Sequence, residues 1–238
     1  MTLPKKVLLA VTSFHDKFYP DGRSTGAFYS EALHPYEVLA KHGFEFVVVS
    51  ENGDYGWDSI SLAEPFLTPE EVKVSKDTTS PLNVAFKNIK KASEVDPKEF
   101  GIFFAVGGHG TCVDFETAKD VQNLASEIYQ NGGIVASVCH GPVILAGVKD
   151  LSTGELLAKG RNVTGFTDRG EEELKLTQFL KDHNYPFVAE VLKKAGGKYS
   201  EPKEPWDDYS VADGRLVTGA NPASATSTAE KALAAYNA

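Results

Sequence analysis

Four stretches of the chain are apolar almost without interruption and no longer than a strand: KVLLAVT (Lys6–Thr12), FEFVVVS (Phe44–Ser50), FGIFFAVGG (Phe100–Gly108) and IVASV (Ile134–Val138). A strand with one wet face alternates apolar and polar residues. These runs do not, so both of their faces must be covered. Segments with helical spacing lie between them, at Thr25–Lys41, Pro81–Val95 and Phe115–Gly133. In the last, Val121, Leu124 and Ile128 share one face and glycines close the end. In the first, His34-Pro35 predicts a kink. Buried strands alternating with helices predict an α/β fold, a mostly parallel sheet with helices on both faces and right-handed crossovers.

The second half continues the pattern. GPVILAG opens a short buried helix, and Asn162–Thr167 and Arg215–Ala220 read as further strands. Helices are expected from Glu171, near Phe187–Lys194 and over Pro222–Tyr236. No repeat or long linker divides the 238 residues, so a single domain is expected. The segment Glu51–Ser80 is too polar and Pro-rich for core and reads as an excursion lining the site or an interface.

The net charge of −9 disfavours nucleic acid and anionic membrane as partners. No run approaches the ~20 apolar residues of a membrane helix. The opening MTLPKKVLLAVTSF reads as a first strand and not as a signal peptide, because HDKFYPDG follows where a small-residue cleavage site would stand. Two cysteines, Cys112 and Cys139, cannot make a disulfide framework. The compartment expected is the cytoplasm.

Cys139 sits where the fourth apolar run ends, in SVCHGP. Small residues two before and two after it, Ser137 and Gly141, match a nucleophile elbow, in which a tight turn brings backbones close and aims the side chain outward. The following helix N-terminus, with Pro142 in its first turn, favours a thiolate. The plainer reading is a core cysteine at a strand end. His140 follows directly; sequence neighbours usually point apart, and only a sharp turn lets them meet. A histidine base needs an orienting carboxylate. Asp168, Glu171, Glu172 and Glu173 are the candidates, with Asp168 and Glu171 also spaced as N-cap and N3 of a helix. The turn VGGHGT offers the N–H groups of Gly107, Gly108 and His109 as an oxyanion hole, and is equally readable as a plain tight turn. His109 is also a candidate second base, and Cys112 reads as bland. Glu31 borders the apolar stripe of Phe28, Ala32, Pro35 and Leu39, where burial would raise its pKa for acid–base work; alternatively it reaches water. The six histidines have no zinc spacing, although His15-Asp16 and His34 stand as isolated ligand types; no metal is expected.

Together YPDGRSTGAFYSEALHPY, VSENGDYGWD, GGHGT, DVQNLASEIYQNGG, VCHGP, TGFTDRGEE, PWDDYS and RLVTGANPASA resemble the ThiJ/PfpI superfamily, in its fungal glyoxalase III and heat-shock chaperone branch. The resemblance spans essentially the whole chain. It implies a flavodoxin-like sandwich related to class I glutamine amidotransferases. It implies glutathione-independent conversion of methylglyoxal to D-lactate (and glyoxal to glycolate), a lyase activity that needs no cofactor. The family nucleophile falls on Cys139, its histidine on His140, the third triad member on Glu171 and the acidic residue near the thiol on Glu31. The implied route is a Cys139 hemithioacetal, a proton shift by His140 or Glu31 through an enediol, and hydrolysis of a thioester. The partner is then a small 2-oxoaldehyde, the assembly a homodimer, and the compartment the cytoplasm, with the nucleus as a second location. A holdase chaperone, a protein deglycase and a cysteine peptidase are the competing functions.

Overall fold

The computed structural model describes residues 3–238. Its strands, in chain order, are β1 (Lys6–Ala10), β2 (Glu45–Ser50), β3 (Lys90–Lys91), β4 (Ile102–Ala105), β5 (Ile134–Val138), β6 (Lys149–Asp150), β7 (Glu155–Leu156), β8 (Asn162–Val163), β9 (Lys198–Tyr199), β10 (Ser210–Asp213) and β11 (Leu216–Gly219). The helices are α1 (Tyr29–Ala40), α2 (Pro69–Lys76), α3 (Pro81–Lys87), α4 (Thr111–Asp114), α5 (Lys119–Gln130), α6 (Asp168–Glu173), α7 (Thr177–Asp182), α8 (Val188–Lys194) and α9 (Ala225–Tyr236).

Seven strands form one sheet in the order β10-β11-β5-β4-β1-β2-β3. Every pairing in it is parallel except β10 with β11. All residues of β4 and β5 are buried in both side-chain directions, as an uninterrupted apolar strand requires. Phe103 and Phe104 are fully enclosed, each contributing about 2–3 kcal/mol through burial. α5 covers β4 and β5, and α9 packs on β5, β10, β11 and α1. β1 pairs with β2 on one side and β4 on the other, so chain direction across the sheet reverses beside β1. The loops after β1, β4 and β5 therefore gather at one carboxyl edge, where open α/β sheets bind ligands.

Several local expectations are corrected. α1 begins at Tyr29, because Ala27 and Asp58 lace the preceding chain to the excursion (Ala27 N to Gly56 O, 2.9 Å; Asp58 N to Ala27 O, 2.9 Å). It then runs unbroken through Pro35. The helix from Pro81 stops at Lys87, and Lys90-Lys91 instead form the exposed edge strand. The helix expected from Phe115 starts at Lys119. Asn162–Thr167 gives only β8, which pairs with β9 outside the main sheet. The excursion is not wholly polar surface: Leu67 is buried in the core, and Trp57 packs against it. A second, smaller apolar cluster of Phe18, Tyr19, Leu176, Leu180 and Phe187 roofs the carboxyl edge.

Candidate active site

Cys139 takes up φ 61°, a left-handed conformation costly to any residue with a Cβ. The cause is local. Its N–H is bonded to Gly219 O at the end of β11 (2.9 Å), and its carbonyl accepts from Phe166 N (2.8 Å), so the chain is held from both sides as it leaves β5. A Cβ on Gly141 would lie 2.5 Å from Ala105 O, which explains the small residue two positions on. The turn brings neighbours together: His140 Nδ1 lies 3.2 Å from Cys139 Sγ.

Behind the imidazole, His140 Nε2 lies 2.7 Å from Glu171 Oε1. α6 positions Glu171, and its cap is Thr167, whose hydroxyl accepts from Gly170 N (3.0 Å). The N-cap and N3 reading of Asp168 and Glu171 is thus corrected by one residue. Asp168 is the first residue of the helix, and Glu171 faces inward. Glu172 and Glu173 are exposed. Burial pushes the Glu171 carboxyl up, but two neighbouring imidazoles, His109 and His140, outweigh it and hold it down at about 2. Burial, with His109 adding to it, lowers His140 to about 4. A charged Glu171 accepts the Nε2 proton of a neutral His140, which leaves the Nδ1 lone pair facing the thiol.

Glu31 is fully enclosed and does not reach water. Its Oε2 accepts the N–H of Gly107 (2.9 Å), and its Oε1 finds no hydrogen-bond partner among the described residues. Burial raises its carboxyl to about 8, against the lowering effect of the thiol and the Gly107 N–H. A Cβ on Gly107 would sit 2.5 Å from Glu31 Oε2 and 2.9 Å from the Cys139 Cβ, so only glycine lets these two groups meet here. Burial, then the charges of Glu31 and Glu171, push the Cys139 thiol well above its usual range; the backbone N–H of His140 works the other way.

The oxyanion reading is narrowed. The Gly107 N–H is engaged by Glu31, so Gly107 is corrected to a positioning role, while Gly108 and His109 face the cavity. His109 also reaches Glu171, with Nε2 3.1 Å from Oε2. Sequence reasoning missed the pair behind His109, namely Tyr19 and Asp58. Tyr19 Oη lies 3.2 Å from its Nδ1 and donates to Asp58 Oδ2 at 2.7 Å. Both lie in stretches that carry the family resemblance, Tyr19 at the start of YPDG and Asp58 at the end of YGWD, but no spacing there signals a site; the excursion's tie to the chain before α1 brings them in. His109, His140 and Glu171 place two ring nitrogens and a carboxylate oxygen within 4.8 Å of one another. Both ring nitrogens hydrogen-bond the one Glu171 carboxylate, which ties the trio together. Of the isolated histidines, His34 pairs with Glu71 (2.7 Å) and His15 lies 3.7 Å from Asp54. Cys112 is buried in α4, its thiol pushed up by burial.

Above Cys139 and His140 opens a cavity of about 330 Å³. Phe28, Phe166, Trp206 and, from the excursion, Ile60 and Phe66 wall it, while Asp21, Arg23 and Lys175 stand around it. The arrangement offers a buried thiol, a neutral imidazole base and a protonatable carboxyl around one small, largely apolar space.

A parallel sheet with a strained thiol at its carboxyl edge places the molecule by class, and the chain belongs to the DJ-1/PfpI family, whose model matches residues 25–235. Within that family it is 48% identical to Glyoxalase 3 of Candida albicans over 97% of this chain and 98% of that one. It is 52% identical to the glutathione-independent glyoxalase HSP31 of Saccharomyces cerevisiae over 97% of each. The crystal structure of glyoxalase III from Candida albicans superimposes with a TM-score of 0.94 at 49% identity, covering 97% of this chain and 96% of that one.

Proposed function

We propose that this protein is a glutathione-independent glyoxalase that converts methylglyoxal, and glyoxal, to D-lactate and glycolate. The observation that carries the reading is the contact of one buried thiol with two groups of opposite readiness, the neutral His140 and the protonated Glu31. His140 Nδ1 takes the thiol proton as sulfur attacks the aldehyde carbon of the 2-oxoaldehyde. The resulting oxyanion takes the Glu31 proton, with Gly108 and His109 N–H groups beside it, and gives a hemithioacetal. Glu31, now charged and close to sulfur, removes the hydrogen on that carbon. The electron pair moves into an enediol as the ketone oxygen takes the proton held by His140; Glu31 returns its proton at the neighbouring carbon and takes the one on the former aldehyde oxygen as the thioester carbonyl forms. The product is a 2-hydroxyacyl thioester. Water cleaves it, with His140 as base, to the hydroxy acid and the free thiol. Substrate plus water equals product, so no redox partner enters.

A carboxyl with a pKa near 8 can give and take a proton at neutral pH, which this two-way use demands. The walled, largely apolar cavity suits a molecule of a few carbons, which weighs against a peptidase. A single domain, a cytoplasmic homodimer and the absence of any cofactor belong to this reading by likeness to the family.

The test is D-lactate formation from methylglyoxal without glutathione. Wild type should produce it. Cys139→Ala should lower the rate on the order of 10³-fold or more, and Glu31→Gln about 10²-fold. Undiminished D-lactate from Cys139→Ala would overturn the reading.

A further inference from the structure

The proton count around His109 carries the furthest inference. Asp58 is fully buried, and every group on it can donate: Tyr19 Oη and Thr25 Oγ1 at 2.7 Å on Oδ2, and Ile60 N at 2.8 Å on Oδ1. A tyrosine has one proton. If Tyr19 turned it toward His109, two oxygens would face each other at 2.7 Å with no proton from the phenol between them. Tyr19 therefore donates to Asp58 and can only accept from His109 Nδ1, 3.2 Å away. On the opposite side of the ring, Nε2 faces a Glu171 carboxylate oxygen at 3.1 Å, which also only accepts. Both ring nitrogens of His109 must then carry hydrogen.

We propose that His109 is a standing imidazolium, kept doubly protonated by Glu171 on one side and the Tyr19–Asp58 couple on the other, and that its charge keeps His140 neutral. The two imidazole rings lie 4.1 Å apart, centre to centre, and share the Glu171 carboxylate, one oxygen each. A second proton on this pair would place two cations in contact within a buried site. The proton stays on His109, which has a second acceptor, and His140 keeps the lone pair that faces Cys139. Burial opposes a charged His109, and the Glu171 carboxylate outweighs it, which agrees with the count. The other titratable groups around the ring are Cys139 and His140 from the elbow, Cys112 from α4, and Asp21, Arg23 and Lys175 about the cavity. Among all the charged groups around the ring, only Glu171 hydrogen-bonds it directly, and Asp58 acts through Tyr19. Tyr19, Asp58 and His109 are positioning residues: they act on the thiol through His140.

The inference rests on the glyoxalase reading for its kinetic arm alone. Nitrogen-15 NMR of the imidazole rings at pH 7 should show both nitrogens of His109 protonated and His140 with one bare nitrogen. In Tyr19→Phe, the acceptor at Nδ1 is lost and His109 should become neutral. With the neighbouring cation gone, the acid limb of kcat/KM should move up by about one pH unit or more, with the plateau changed less. His109→Gln keeps a neutral donor toward Glu171 and should give the same upward move, so a folding defect in one variant leaves the other to decide. A bare nitrogen on His109 in the wild type, or an acid limb unmoved in both variants, overturns the proposal. A wild type that makes no lactate but shows the doubly protonated ring overturns the glyoxalase reading and supports this one.

Discussion

Glu31 sets the terms at the scale of single residues. A carboxyl whose pKa rises from 4.5 to about 8 on folding favours the native state while protonated and opposes it once charged. Its stabilising contribution is complete below pH 4.5 and is lost as pH rises through about 8. Glu31→Gln mimics the protonated form at every pH. It should match the wild type in unfolding free energy near pH 4 and exceed it increasingly up to pH 9, by about 3–5 kcal/mol at the top, as read from denaturant unfolding across pH. The same variant loses activity, so site and stability pull against each other here. Cys139, His140, Glu171 and Glu31 were all legible in the sequence as candidates, from the elbow spacing, the adjacency and the apolar stripe. What could not be read was contact. Whether Cys139 and His140 meet depends on φ at Cys139, and Tyr19 reaches His109 across 90 positions, and Asp58 reaches Tyr19 across 39, with no periodic signal.

Among the elements, α6 is the one on which the proposed mechanism depends most. It is six residues long, capped by the buried Thr167 hydroxyl, and carries Glu171 on its inner face. Thr167→Ala should cost about 1 kcal/mol of stability yet lower kcat on the order of 10²-fold, because a small displacement of Glu171 frees the His140 ring. Thr167→Ser should restore both, measured by denaturant unfolding and steady-state kinetics. The interior strands were legible because each is buried on both faces. Misses fell where the signal was local chemistry and not periodicity. Thr68-x-x-Glu71 with Pro69 at the first position is a capping box, and it builds α2 inside a segment that composition marks as irregular. Asp213-Gly214 is a hairpin signal, with Gly214 at φ 59°, and it joins β10 to β11. The helix from Pro81 was read too long because Lys90 and Lys91 fit a helix as well as an exposed edge strand.

For the molecule as a whole, apolar surface is closed in the sheet's interior and around one cavity. Among the described residues only Val84 and Leu151 are large hydrophobic side chains with more than a third of their surface exposed. A holdase needs an apolar patch of several hundred Å². The folded protein at 25 °C should therefore leave the light scattering of an aggregating client unchanged, and suppression should begin only at temperatures where its own core opens. Suppression at 25 °C at equimolar ratio would show that an apolar face exists which the monomer's surface does not display. No helix among the described residues is long and apolar enough to cross a membrane. The sheet's two margins differ in construction. At one, β10 runs antiparallel and is covered by α9. At the other, β3 is two residues long and both are exposed lysines. A strand margin with free N–H and C=O groups is a template on which another chain can polymerise. Two adjacent positive charges on so short a margin repel an identical copy and offer too few rungs for a foreign one. The molecule should thus stay free of filaments when concentrated, a property lodged in Lys90 and Lys91 and not in the turn that holds Cys139.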